Sequence, residues 1–105
     1  MDTIIKGTTP TIQYIFPDVD VEDITVAFLT IRQAGIDVIT RDIHSAEVDI
    51  EESMISWTLT QEETLQLMPK GQATAYLDWK LADGTRSGGE TVTFSIAPTG
   101  KNEVI

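Results

Sequence analysis

Apolar and polar residues alternate with period two along most of this chain, in short stretches separated by Gly, Pro, Asn and Asp. Such alternation marks half-buried β-strands. Between Pro10 and Phe16, residues Ile12, Tyr14 and Phe16 share one face, after a Gly7-Thr8-Thr9-Pro10 kink and before a Pro17-Asp18-Val19-Asp20 loop. Ile24 to Gln33 is the longest candidate strand. It holds two apolar sets, Ile24, Val26 and Phe28 on one side and Ala27, Leu29 and Ile31 on the other. Two sets imply a central strand covered on both faces, or a bulge that switches face. Gln33-Ala34-Gly35 reads as a hairpin connection, and Asp37 to Thr40 returns from it. Glu47 to Glu51 alternates acid and aliphatic, with Val48 and Ile50 expected inward. Met54 to Thr60 follows, with Ile55, Trp57 and Leu59 as its inner row.

One segment departs from this period. Thr60-Gln61-Glu62-Glu63 has the form of a capping box, with Thr60 as N-cap and Glu63 reaching back to it. Pro69 and Gly71 lie beyond, so the spacing predicts a short helix from Gln61 to Leu67, crossing between two sheets. Gln72 to Leu81 then alternates most clearly: Ala73, Ala75, Leu77, Trp79 and Leu81 face one way, and Gln72, Thr74, Tyr76, Asp78 and Lys80 the other. Ala82-Asp83-Gly84-Thr85 is a turn. Thr91 to Ala97 places Val92, Phe94 and Ile96 inward, and Pro98 to Asn102 ends the regular pattern. About seven short strands with one helix, and no helices alternating with strands, predict an all-β protein, an immunoglobulin-like β-sandwich. A barrel is the competing architecture. Trp57, Trp79, Phe28, Leu77 and Phe94 are its expected core.

Length and composition narrow the function classes. The 105 residues suit a single β-sandwich domain spanning 1–105, able to bury roughly 65% of its unfolded-chain surface. There is no cysteine, which removes an inter-sheet disulfide and any thiolate metal site. The opening Met1-Asp2-Thr3-Ile4-Ile5-Lys6 lacks the basic and apolar regions of a signal peptide, so synthesis in the cytosol is expected. No apolar run approaches the roughly 20 residues that span a bilayer. Seventeen acids against seven bases give a net charge of −10. That charge repels polyanions and acidic membranes, so neither nucleic acid nor membrane is an expected partner.

No chemistry-bearing constellation stands out, and the expected catalytic, cofactor-binding and metal-binding residues are none. Asp42, His44 and Ser45 carry the names of a triad, but residues this close in sequence cannot adopt its relay geometry; a solvated loop histidine is the simpler reading. Asp18, Asp20, Glu22 and Asp23 offer oxygen ligands for calcium. They lack the turn glycine and distal bidentate acid of an EF-hand, so no tight site is expected there. Glu47, Asp49 and Glu51 read as a charged outer row that protects an edge. Trp57 and Trp79 sit in register with aliphatic rows, which points to core packing rather than sugar stacking. Tyr76, on the opposite face, is the better surface aromatic. Arg86-Ser87-Gly88-Gly89 reads as a flexible loop with one cation, too weak for a phosphate site.

Three stretches carry a family resemblance. Ile4-Ile5-Lys6-Gly7-Thr8-Thr9-Pro10-Thr11 resembles the "RGTTPT" opening of small proteins encoded in tail and baseplate regions of phages and prophages of Gram-positive bacteria. Val26-Ala27-Phe28…Gln33 is similar to their "VTF…Q", and Leu59-Thr60-Gln61-Glu62-Glu63-Thr64 to their "LTQEET". The resemblance implies an immunoglobulin-like structural or accessory module of a virion, without catalysis or cofactor. Its expected partners are other virion or tail proteins, and the oligomeric state is open. A carbohydrate-binding module contacting cell-wall glycans is the alternative, and a small hydrolase a distant third.

Overall fold

The computed structural model describes residues 2–105, without the side chains of residues 89 and 90. Met1, part of the segment read for a signal peptide, lies outside the described residues. Eight strands form two sheets, one more than the alternation resolves. They are β1 Asp2–Ile5, β2 Thr11–Ile15, β3 Ile24–Gln33, β4 Ile36–Asp42, β5 Glu47–Asp49, β6 Met54–Thr58, β7 Gln72–Leu81 and β8 Arg86–Ala97. The larger sheet runs in the order β1-β8-β7-β3-β4 and the smaller β2-β6-β5. All neighbours are antiparallel except β1, which lies parallel to β8. The chain is thus an all-β sandwich.

Inward side chains of both sheets meet in one cluster. Leu29, Ile31, Leu77, Ala73 and Ala75 of the large sheet face Ile12, Ile55, Trp57 and Leu59 of the small one, all at 5% exposure or less. Tyr14 meets Trp57 edge to face at 6.5 Å, and Phe16 meets Trp79 likewise at 5.5 Å. Trp79 is half-buried rather than enclosed, because it stands where the two sheets part beside the loop 17–19.

The two apolar sets of β3 resolve through a bulge. Ile24 pairs with Leu81 but Val26 pairs with Lys80, so Thr25 is the extra residue and the strand changes face there. Ile24 therefore joins Ala27, Leu29 and Ile31 in the core. Val26 and Phe28 point outward, 36% and 44% exposed, which corrects the expectation that Phe28 is buried.

Four other expectations need correction. Val48 and Ile50 are exposed at 43% and 56%: β5 is a three-residue edge strand of the smaller sheet, and Ile50 lies in the turn after it. Arg86-Ser87-Gly88 belongs to β8 rather than to a loop: β8 pairs with the whole length of β7 and absorbs one residue opposite Leu77 and Asp78. The short N-terminal stretch, too brief to show alternation, forms β1, with Ile4 alone buried. Helix α1 spans Gln61–Leu65, ending two residues early, while Leu67 still reaches the core. The A34–G35 turn has positive φ at both residues (53° and 77°), matching the twist of the β3–β4 hairpin.

Candidate functional site

The residues singled out for catalysis are engaged in local structure. Asp42 caps the one-turn 3₁₀ helix Ile43–Ser45: its Oδ1 accepts the His44 backbone N–H at 3.0 Å. Ser45 Oγ donates to the Asp42 carbonyl at 3.0 Å and accepts from Arg41 Nε at 2.9 Å. The hydrogen bonds that link these three thus run through backbone groups and Arg41, and none passes through the imidazole. Asp20 plays the same capping role for a second 3₁₀ turn, Val21–Asp23, through the Glu22 N–H at 3.0 Å. Val21 is buried between the acids of that run. Among the described residues no three of His, Asp and Glu converge as a metal site.

The resemblance stretches, far apart in sequence, come together. Gly7 N–H donates to the fully buried Thr64 Oγ1 at 3.0 Å, and that hydroxyl donates to the Thr8 carbonyl at 2.9 Å. Leu59 N–H reaches the Pro10 carbonyl at 2.9 Å. Thr60 and Glu63 complete the capping box, and Glu63 Oε1 also receives Arg41 Nη1 at 2.8 Å. The same guanidinium bonds the Thr58 carbonyl at 3.1 Å and the Ser45 carbonyl at 3.1 Å. Arg41, which sequence reading passed over, thereby fastens α1 to the loop that leaves the large sheet. Only its register on β4 opposite Leu29 would have revealed it. This junction is structural punctuation in three dimensions.

The other candidate is the outward face of the large sheet. Its register sets up rows across the strands: Val26, Lys80 and Arg86; then Asp42, Phe28, Asp78 and Gly88; then Thr40, Thr30, Tyr76 and Thr91; then Asp37, Arg32, Thr74 and Thr93. Val26, Phe28, Asp78, Trp79, Lys80 and Arg86 line a shallow cleft of about 440 Å³, closed at one end by Gly84. Asp78 forms an ion pair with Arg86 across the strands, at 3.7 Å. Its carboxylate overlies Gly88, where an added Cβ would stand 2.6 Å from Oδ1. Arg32 is held by Asp37 at 2.7 Å, which pushes the guanidinium pKa further up, and it lies 4.9 Å from the Tyr76 ring centroid. At the adjoining turn the Thr85 N–H donates to Asp83 Oδ1 at 2.8 Å and holds that carboxyl below its usual range. Tyr76 is thus a surface aromatic as expected, but one flanked by a cation. Exposed Phe28 is the apolar feature that sequence reading placed inside.

No protein-family model and no curated protein sequence matches the chain. Among solved structures it is similar to CopC from Methylosinus trichosporium OB3b, with a TM-score of 0.57 and 11% identity over 96% of this chain and 89% of that one. At that identity the likeness establishes a shared fold alone. It agrees with the two-sheet sandwich built above from the strand register.

Proposed function

We propose that the chain is a non-catalytic structural or accessory module, of the tail and baseplate type that its sequence resembles, and that it works by protein–protein contact through the outer face of the large sheet. The observation that carries this reading is the exposed pair Val26 and Phe28, side by side with Tyr76 and three cations on a rigid five-stranded platform. An aromatic and an aliphatic centre with a charged rim is the anatomy of a protein interface. The bulge at Thr25 leaves Ile24 in the core and Val26 and Phe28 on the outer face, opposite the buried Ala27, Leu29 and Ile31. A sugar platform would need an open ring face. Arg32 already flanks Tyr76, so the glycan reading has the weaker support.

The test is retention of purified tail and baseplate proteins of a Gram-positive phage on the immobilised chain, with cell-wall glycan in a parallel assay. Retention of an identified virion protein, lost on Phe28→Asp, is the expected result. Glycan retention lost on Tyr76→Ala, with no virion protein held, would replace this reading with the carbohydrate one.

A further inference from the structure

Where the two sheets part beside the loop 17–19, they leave a cleft of about 180 Å³. A single water takes roughly 10–15 Å³ of such space and a drug-sized ligand roughly 300–1,000 Å³, so the cleft suits one small organic group. Fully buried Leu77 lies at its base, and Tyr14, Phe16 and Trp79 supply aromatic walls. Phe16 and Trp79 stand at 84° with centroids 5.5 Å apart, so they meet as two sides of a corner. Tyr14 and Phe16 are each 6% exposed; Trp79 is the most open of the three rings and offers most of the contact. Asp18, exposed on the rim, is the one charged group among the described lining residues. Lys80, next to Trp79 in sequence, lines the outer cleft instead.

The rim is fixed before any ligand arrives. Phe16 N–H donates to the Ser53 carbonyl at 2.8 Å. The Ser53 hydroxyl lies 2.8 Å from the Phe16 carbonyl and 3.0 Å from that of Val19, and its proton serves both. Ser53 does this at a φ of 52°, a left-handed conformation that residues other than glycine rarely adopt. At the far end of the loop, the turn capped by Asp20 buries Val21. We propose that this cleft binds a small organic cation, a substituted ammonium head group. Aromatic ring faces attract a cation, Asp18 adds a full opposite charge at the rim, and a net charge of −10 enriches cations around the whole molecule. A calcium ion is a poor fit, since it takes about six to eight oxygen ligands and one carboxylate stands here among rings. An anion would meet Asp18. The site goes beyond the protein-contact reading and does not depend on it.

The experiment is a titration of the isotope-labelled full chain with choline, followed by NMR at about 0.15 M salt, where diffuse attraction to exposed acids is largely screened. Saturable shifts should appear at the amides of Tyr14, Phe16, Asp18 and Val19 and at the Trp79 indole N–H, with a Kd of about 1–10 mM for so open a site. The neutral alcohol in which carbon replaces choline's nitrogen has the same shape, and should bind at least about fivefold more weakly. Asp18→Asn should weaken choline about two- to fivefold, the worth of an exposed charge pair, with the melting temperature unchanged. Trp79→Leu keeps apolar bulk, removes the most open ring and should weaken choline about five- to thirtyfold. If that variant fails to fold, Asp18→Asn and the neutral alcohol decide. Equal binding of the alcohol, shifts spread over the acids of residues 47–51, an unchanged Kd in Asp18→Asn, or no saturation by about 100 mM each overturns the proposal.

Discussion

Replacing Thr64 by valine removes one oxygen and adds a methyl of nearly the same size, so it isolates the hydroxyl at the centre of the junction. That hydroxyl is at 0% exposure, accepts the Gly7 N–H at 3.0 Å and donates to the Thr8 carbonyl at 2.9 Å. Both partners belong to the chain segment that carries β1 of the large sheet to β2 of the small one. Losing two such bonds removes about 1 kcal/mol each, and a buried group left without a partner costs about 1–3 kcal/mol, so the valine variant should lose roughly 2–4 kcal/mol. For a domain near 100 residues, each kcal/mol lowers Tm by about 4–8 °C, so the shift should be at least about 8 °C. Thr64→Ser keeps the hydroxyl and removes only a methyl, at a cost of roughly 1 kcal/mol. Thermal and urea unfolding of the three proteins measure both differences. If valine is tolerated, or if serine is as harmful as valine, the junction is held by packing and the hydrogen-bond account is wrong.

Three further substitutions compare a core position with two where strand register and composition disagree. Trp57→Ala should cost about 3–5 kcal/mol, since the indole is fully buried and its Nε1–H donates to the Asp42 carbonyl at 2.8 Å. Phe28→Ala should cost at most about 1 kcal/mol, and equal losses in urea titrations of the two would return Phe28 to the core. Gly88→Ala should cost about 1–3 kcal/mol, because its Cβ would stand 2.6 Å from Asp78 Oδ1 and 3.1 Å from the Leu77 carbonyl. An unchanged melting temperature for that variant would restore the loop at residues 86–88.

Much of the fold was legible because long strands repeat their signal. β7 shows five inward residues in a row, and the capping box at Thr60 and Glu63 forms as its spacing implies. What was not legible depends on pairing between distant segments. Ile24, Val26 and Phe28 make a flawless local alternation, and only their partners Leu81 and Lys80 show that Thr25 is extra. Arg86-Ser87-Gly88 has the composition of a loop. It is a strand because β7 extends opposite it and because glycine alone leaves room for the Asp78 carboxylate. Val48 and Ile50 alternate as buried residues do, yet one lies on a three-residue edge strand and the other in the turn after it.

The resemblance residues divide once the structure is in hand, and the division locates the functional question. Gly7 and Thr8 are bonded to Thr64, Thr60 and Glu63 cap α1, and Leu59 is core. Gln33 holds Met68 by its side-chain amide, donating to the carbonyl at 2.9 Å and accepting from the N–H at 2.6 Å. Each of these residues has a task that folding explains. Val26 and Phe28 have none: they are bonded into the sheet by backbone alone, and their side chains face water. An exposed phenylalanine adds little stability and raises the risk of aggregation, which is why the protein-contact proposal rests on this side chain. Of the residues behind the other site hypotheses, Asp20 and Asp42 cap 3₁₀ turns and Trp57 is core. The side chain expected inside and found outside is where contact with another molecule has to be sought.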